Sequence, residues 1–244
     1  MGAGDPDPWR SRADDALFRP VRAANAFEET VERLLQAVRL GVVAPGERLP
    51  SERELAARLG VGRERVRQSL AVLTEAGYLE VRRGRYGGTF VLGAEPVPQP
   101  MGRQVDPSAL ADVLTFRYVV ETGAAEAAAA AELSPDDRDH LRALLEETSA
   151  AAPADYRRVD SRFHLAVAEI TASPSLTAVV AEARLRTNDL LDAIPLLTPN
   201  IGHSNRQHEQ LVTAILTGDA DTARRVMGEH LDGTAMLLRG FLLR

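Results

Sequence analysis

The sequence predicts a mainly α-helical chain in two parts: three short helices closed by a two-stranded hairpin, then a bundle of six or seven helices. Three observations carry this. Apolar residues recur at three- and four-residue spacing through most of the chain, while two short runs, Tyr78–Arg82 and Thr89–Leu92, read as strands around an Arg/Gly turn. A stretch rich in Pro and Gly, GAEPVPQPMGRQVD (93–106), separates the two parts as a linker. The charge changes sign across it. From Arg48 to Val91 nine arginines face five acids, a local +4, whereas from Met101 to the end 14 arginines face 21 acids, a local −7.

Composition narrows the chemistry. The 244 residues include no cysteine, which removes disulfides, thiolate metal sites and cysteine nucleophiles, and fits a reducing cytoplasm. No apolar run approaches the roughly 20 residues of a membrane-spanning helix, and the first 25 residues lack a signal-peptide core. The expectation is a cytoplasmic protein with no membrane partner. All 29 basic residues are arginine, and the net charge of −6 argues against a general nucleic-acid coat. The basic module is the part suited to DNA.

In chain order, residues 1–24 mix Gly, Pro, Asp and Arg without periodicity and read as a flexible tail. Phe27, Val31, Leu34, Leu35 and Val38 then form one apolar stripe, predicting a helix over 27–40 that Gly41 stops. Ser51-Glu52-Arg53-Glu54 matches a capping box and starts a short helix over 52–59. Gly60-Val61-Gly62 is a tight turn. The next helix covers 63–76, with Val66, Leu70 and Leu73 inward. Helix, helix, tight turn, helix, hairpin is the order of a winged helix-turn-helix, expected over residues 25–92. Its third helix leaves Arg63, Glu64, Arg65, Arg67 and Gln68 outward, mostly at the end that enters the major groove in this motif.

The run PGERLPSERELAARLGVGRERVRQSLAVLTEAG, with the hairpin RRGRYGGTFV, resembles the DNA-binding module of the GntR family of bacterial transcription regulators over about 50 consecutive positions. The resemblance implies DNA contacts at Arg53 opening the second helix, at Arg63 and Arg67 on the recognition helix, and at Arg83 and Gly84 in the wing tip. Arg65 is a weaker candidate, because it stands beside Glu64 and could simply balance it. An arginine forks onto guanine O6 and N7, while phosphate contacts fix register.

Residues 107–244 read as all-helical, with helices expected over 107–133, 135–151, 154–172, 174–194, 201–217 and 220–243. Ser134-Pro135-Asp136-Asp137 and Ser173-Pro174 supply start signals, and Gly218-Asp219 separates the last two helices. Within this half, Asp160 and His164 lie four residues apart, hence on one helical face. His208 and His230 sit near the apolar stripes of two further helices. Taken singly, each histidine reads as a hydrogen-bonded core residue. Taken together, one carboxylate and three imidazoles from three helices suit a single divalent cation with positions left open. Zinc leads, with nickel, manganese and iron as the other candidates.

The segments DSRFH and HEQLVTAILTGDADTARRVMGEHL resemble the ligand-sensing FCD domain of the FadR-type GntR regulators. Metal-containing members hold their ion at positions corresponding to Asp160, His164, His208 and His230, and bind a small carboxylate effector there. Arg117 and Glu121 match an Arg-x-x-x-Glu pattern near the start of that domain. Arg117 either holds an effector carboxylate or pairs with Glu121 at i,i+4. Asn188 and His203 are further candidates for the effector pocket, and His140, among acids and arginines, reads as solvated. One departure is the turn Ser173-Pro174-Ser175, where members often carry an Asn.

The reading that follows is a ligand-responsive DNA-binding regulator, a repressor by the habit of the resembled family, which binds a near-palindromic operator as a homodimer. Two alternatives stand beside it. One is a metal-free regulator whose helical half only dimerises. The other is a metal-dependent hydrolase, disfavoured because no second carboxylate in a recognisable motif, no Ser-His-Asp set and no Walker or GxGxxG pattern accompanies the cluster. No catalytic residue is assigned.

Overall fold

The computed structural model describes residues 20–21, 24–39, 43, 45–84, 87–92 and 105–243. The tail and most of the linker expected from the sequence lie outside these residues, as do Arg85 and Tyr86 of the hairpin turn. The chain divides into two compact units, one of residues 1–102 with 239–244, the other of residues 103–238. The sequence placed 107–244 in one domain; the last six residues instead group with the first unit. There Gly240 lets the chain approach the Cα of Glu32, which an added Cβ would meet at 3.2 Å, and Phe241 stacks edge-on to Tyr78 at 6.2 Å.

The first unit contains helices α1 (Ala26–Arg39), α2 (Glu52–Leu59) and α3 (Arg63–Glu75), then strands β1 (Leu79–Arg82) and β2 (Gly88–Val91). The expected capping box forms. Ser51 N–H donates to Glu54 Oε2 at 2.8 Å and Glu54 N–H donates to Ser51 Oγ at 3.3 Å, so two orphan donors are satisfied at once. Gly60 ends α2 in the left-handed region at φ +68, which a Cβ would disfavour. Phe27, Val31, Leu34, Leu35, Leu55, Leu59, Val66, Leu70 and Leu73 are buried, so the inner stripes close one small core.

β1 and β2 pair antiparallel with Leu79 opposite Val91 and Arg82 opposite Gly88. A feature the sequence did not reveal extends this hairpin. The segment before α2 runs alongside β2, with Gly46 N–H to Val91 O at 2.8 Å, Leu49 N–H to Thr89 O at 2.8 Å and Val91 N–H to Glu47 O at 2.9 Å. The added edge ties the hairpin to the start of α2.

The second unit packs α4 (Pro107–Ala130), α5 (Pro135–Ala150), α6 (Pro153–Glu169), α7 (Pro174–Leu191), α8 (Thr198–Thr217) and α9 (Ala220–Leu242, to Leu238 in this unit). α4 contacts α6, α7 and α8, and α5 contacts α6 and α8. Ala125, Ala128 and Ala129 lie in its main core with Phe163, Leu211, Ile215, Val226 and Met227, so the alanine run serves close packing. Four helix ends differ from expectation by three residues, among them that of α7, which closes at Leu191 rather than at 194. α4 stops at Ala130 because Ala131 is already extended at ψ 153, and α6 stops at Glu169 ahead of a turn in which Ala172 has φ +52. α8 begins at Thr198, since Pro199 fits the first turn of a helix, where its missing N–H costs nothing.

Candidate metal and effector site and nucleic-acid interface

The basic face is built on α2 and α3. Arg53 is exposed on the first turn of α2, and Arg63 and Arg67 are exposed on α3, whose N-cap is Gly62. Arg65 is half-buried. Glu64 pairs with Arg67 rather than with Arg65, and Gln68 Nε2 also reaches Glu64 Oε1 at 3.5 Å. The Arg67–Glu64 pair is exposed by more than 60% on both sides, so it holds Arg67 only weakly. On the hairpin, Arg83 and Gly84 are exposed, and Gly84 adopts φ +108, a backbone that suits glycine. Arg82, which the sequence reading passed over, lays its guanidinium over the Phe90 ring at 4.2 Å.

In the second unit, Asp160 and His164 from α6, His208 from α8 and His230 from α9 converge. All four are buried, and one ligating atom of each lies within 4.8 Å of the others. Asp160 Oδ1 stands 3.5 Å from His208 Nε2 and 3.8 Å from His164 Nε2. Its other oxygen is taken by Arg184. The histidines are oriented from behind. His164 Nδ1 is 2.5 Å from Glu121 Oε2, although not aligned as a hydrogen bond, and His230 Nδ1 is 3.3 Å from Gln207 Oε1. Glu121 is itself fixed by Arg117 Nε at 2.9 Å.

The electrostatics favour neutral His208 and His230 beside ionised carboxylates. Burial pushes His208 down to about 3 against the pull of Asp160, and burial together with His208 and His164 holds His230 well below the usual histidine range. Burial alone would raise Asp160 and Glu121. For Asp160 the influence of Arg184, then of His164 and His208, outweighs it, and for Glu121 that of His164 and Arg117 does, leaving both below the ordinary carboxylate range.

These residues fit a divalent cation. His164 Nε2 and both ring nitrogens of His208 are buried and, among the described residues, have no hydrogen-bond partner. Leaving such groups unpaired is costly, and a cation drawing on three imidazoles and one carboxylate oxygen would relieve it. A carboxylate behind one ligating histidine and an amide behind another is also the usual outer arrangement around a bound ion.

Comparison with known proteins agrees with both halves. Residues 27–91 match the profile described as "Bacterial regulatory proteins, gntR family", and residues 112–233 match the FCD domain. A candidate L-lactate dehydrogenase operon regulatory protein of Escherichia coli K12 is 31% identical over 241 residues, covering 92% of this chain and 90% of its own. The chain belongs to the GntR family. The HTH-type transcriptional repressor NanR of Cronobacter sakazakii is 30% identical, with 93% of each chain covered. Among solved structures, E. coli McbR/YncC aligns at a TM-score of 0.48 and 22% identity, over 87% of this chain and 96% of its own. The GntR-family chain is thus a DNA-binding transcriptional regulator with an FCD domain and not an enzyme, and no helix among its described residues is long and apolar enough to cross a membrane.

In this regulator the Asp160–histidine cluster opens on a cavity of about 50 Å³. Arg117, Tyr156, Asp160, Arg184 and His230 form its polar wall, and Ile194 and Leu197 contribute to its apolar one. The cavity's α7–α8 wall, residues 192–197, is fastened by Arg157, whose Nη1 is 2.5 Å from Asp192 Oδ1 and whose Nη2 donates to Ile194 O at 3.2 Å. Of the sequence candidates for the effector, Arg117 lines the cavity and forms the i,i+4 pair with Glu121. Asn188 turns its Nδ2 to Ser161 Oγ at 3.0 Å, and neither it nor half-buried His203 lines the cavity. His140 is exposed.

Arg184 is the residue that sequence reasoning missed. Its signal was present: it lies on the inner stripe of α7 with Val180, Ala183 and Thr187, a charge where only apolar or small residues are expected.

Proposed function

We propose that this GntR-family protein is a repressor that binds a near-palindromic operator as a homodimer and releases it when a small organic acid enters the FCD domain. Residues 25–92 would contact DNA through Arg53, Arg63, Arg65, Arg67, Arg83 and Gly84. Residues 107–244 would dimerise and sense. Two copies of the α3 end would read two half-sites, as a two-fold protein requires. Asp160, His164, His208 and His230 would hold a divalent ion, zinc first. When bound, the ion would supply a positive attachment point with coordination positions left open for a carboxylate.

The observation that carries this reading is the convergence of those four buried ligands within 4.8 Å beside a cavity. His164 and His230 are turned by Glu121 and Gln207, Asp160 is turned by Arg184, and Arg117 stands ready for the acid. Because the effect couples two sites, it must be reciprocal: operator DNA should weaken effector binding by the same factor as effector weakens DNA binding. The action is cytoplasmic, where such DNA lies.

Elemental analysis of purified full-length protein tests it, together with operator gel shifts with and without candidate acids. About one ion per chain is expected, lost in His208→Ala and His230→Ala. Substoichiometric metal that is indifferent to those substitutions would leave only the DNA-binding half of the proposal standing.

A further inference from the structure

The wing tip, Arg83 and Gly84, is carried on a tight turn that returns through Gly87 and Gly88. Gly87 N–H donates to Gly84 O at 2.9 Å, and a Cβ added at Gly87 would meet Arg82 O at 2.5 Å. Arg48 reaches this return from outside the hairpin. It stands opposite Phe90 on the edge segment beside β2, and its Nη1 donates to Gly87 O at 3.3 Å. Its aliphatic stem crosses Gly88, where an added Cβ would come within 2.6 Å of Arg48 Cδ and 3.0 Å of its Cγ. Glycine at 88 keeps that path open.

Residues opposite one another in a sheet share a face, as do residues two apart on a strand. Glu80, Phe90 and Arg48 are opposite one another, and Arg82 opposite Gly88 is the next pair on that face. Arg48 and Arg82 are therefore neighbours on one side of the wing, but they hold different things. Arg82 is committed to β1 and β2: its guanidinium lies over Phe90 at 4.2 Å, and its Nε donates to Glu80 Oε1 at 2.7 Å. Arg48 is exposed and, among the described residues, has no carboxylate partner; its acceptor is the Gly87 carbonyl. An arginine beside such a turn can serve a duplex in two ways, by touching phosphate itself or by holding the turn that does. The geometry favours the second, because both its stem and its guanidinium are spent on the return of the turn. A loop held in its bound shape binds more tightly, since less ordering remains to be done on contact.

We propose that Arg48 is a positioning residue for the wing: it fastens the return of the turn at Gly87 and Gly88, so that Arg83 and Gly84 meet the duplex already in place. It acts through those two residues and makes no DNA contact of its own. The inference rests on the reading above, that the wing tip touches DNA, and adds the residue that presents the tip.

The test is a double-mutant cycle in full-length protein, read by fluorescence anisotropy on the duplex that the wild type selects from a random-sequence pool. Arg48→Ala should weaken binding about fivefold, what one hydrogen bond and a little packing supply. Arg83→Ala should weaken it about tenfold. The double variant should fall no more than about twofold below Arg83→Ala, because the tip that Arg48 holds is already disarmed. The dependence of log affinity on log salt separates positioning from contact. Each single variant should lose about one unit of slope, and the double variant about one rather than about two. Arg48→Ala and Arg63→Ala, on different elements, should instead multiply. Losses at Arg48 and Arg83 that multiply, with slopes that add, overturn the inference and make Arg48 a phosphate contact. Wild-type binding by Arg48→Ala also overturns it, and so does a loss that fails to multiply with Arg63→Ala, which marks general damage. Should Arg48→Ala not fold, Arg48→Gln keeps much of the stem over Gly88 and loses the guanidinium: a double variant close to Arg83→Ala supports the inference there, and multiplied losses overturn it. If Arg83→Ala binds like the wild type while Arg63→Ala does not, the wing reading has failed and the inference falls with it. If the wild type selects no duplex, the DNA reading itself has failed.

Discussion

Arg184 grips the oxygen of Asp160 that faces away from the histidines, leaving Oδ1 alone to approach His208 and His164. The guanidinium thereby fixes which oxygen is offered to the cluster and keeps it ionised. Removing the carboxylate leaves a buried cation without its main partner. Asp160→Ala in ion-free protein should therefore cost about 3–5 kcal/mol, measured by urea unfolding. A loss under about 1 kcal/mol would show that Arg184 finds another acceptor or reaches water.

Acid should unfold the protein through the same cluster. The pKa of His208 falls from 6.5 to about 3 on folding, and that of His230 also falls, so between these values the unfolded chain binds more protons than the native one. Their contribution is complete above about pH 6.5 and drains away as pH falls toward about 3. Asp160 and Glu121, depressed on folding, act in the same direction further down, because protonating them also favours the unfolded chain. Urea midpoints of ion-free protein at pH 7.5, 6 and 4.5 should fall steadily, by a few kcal/mol in all. His208→Gln should flatten the upper part of that curve; an unchanged slope would mean that His208 is not buried neutral.

The local signals that announce helices were readable, and the long-range ones that build the cavity were not. Ser51 and Glu54 lie three residues apart, and the geometry of a first helical turn is enough to join them. Asp160, His164, His208 and His230 could be grouped because three rare side chains each sit beside an apolar stripe. Arg184 escaped notice because arginine abounds in this chain and only its position in the inner face of α7 marks it out. Glu121 read as half of an i,i+4 pair, yet its second oxygen meets His164 from a different helix, a contact that depends on how α4 packs on α6. The turn after α6 is a milder case. Ser173-Pro174 signals a helix start, but the left-handed strain falls one residue earlier, on Ala172.

The α7–α8 wall should act as the cavity's door. Arg157 and Asp192 are 26% and 70% exposed, so their pair is worth no more than about 1 kcal/mol and little global stability depends on it. Opening the wall costs the same contact. Arg157→Ala should leave the melting temperature nearly unchanged while speeding zinc release to a chelator about fivefold. The rate is followed with a colorimetric zinc indicator. An unaltered rate would place the exit route elsewhere.

If Arg67 contacts DNA as proposed, Glu64 should set its readiness to do so. Both side chains are more than 60% exposed and paired across one turn of α3, so the acid competes with any phosphate or guanine for the guanidinium and repels the duplex itself. Arg63→Ala and Arg67→Ala should each cost about 1–3 kcal/mol of operator affinity and relax base preference. Glu64→Ala should do the opposite to overall affinity, raising it several-fold at low salt for operator and unrelated DNA alike, because it frees a cation without adding a base contact. Fluorescence anisotropy across a salt series separates the cases. A steeper dependence of log affinity on log salt in Glu64→Ala than in wild type means that Arg67 has gained a phosphate. An unchanged slope with unchanged affinity would mean that this end of α3 does not face the duplex.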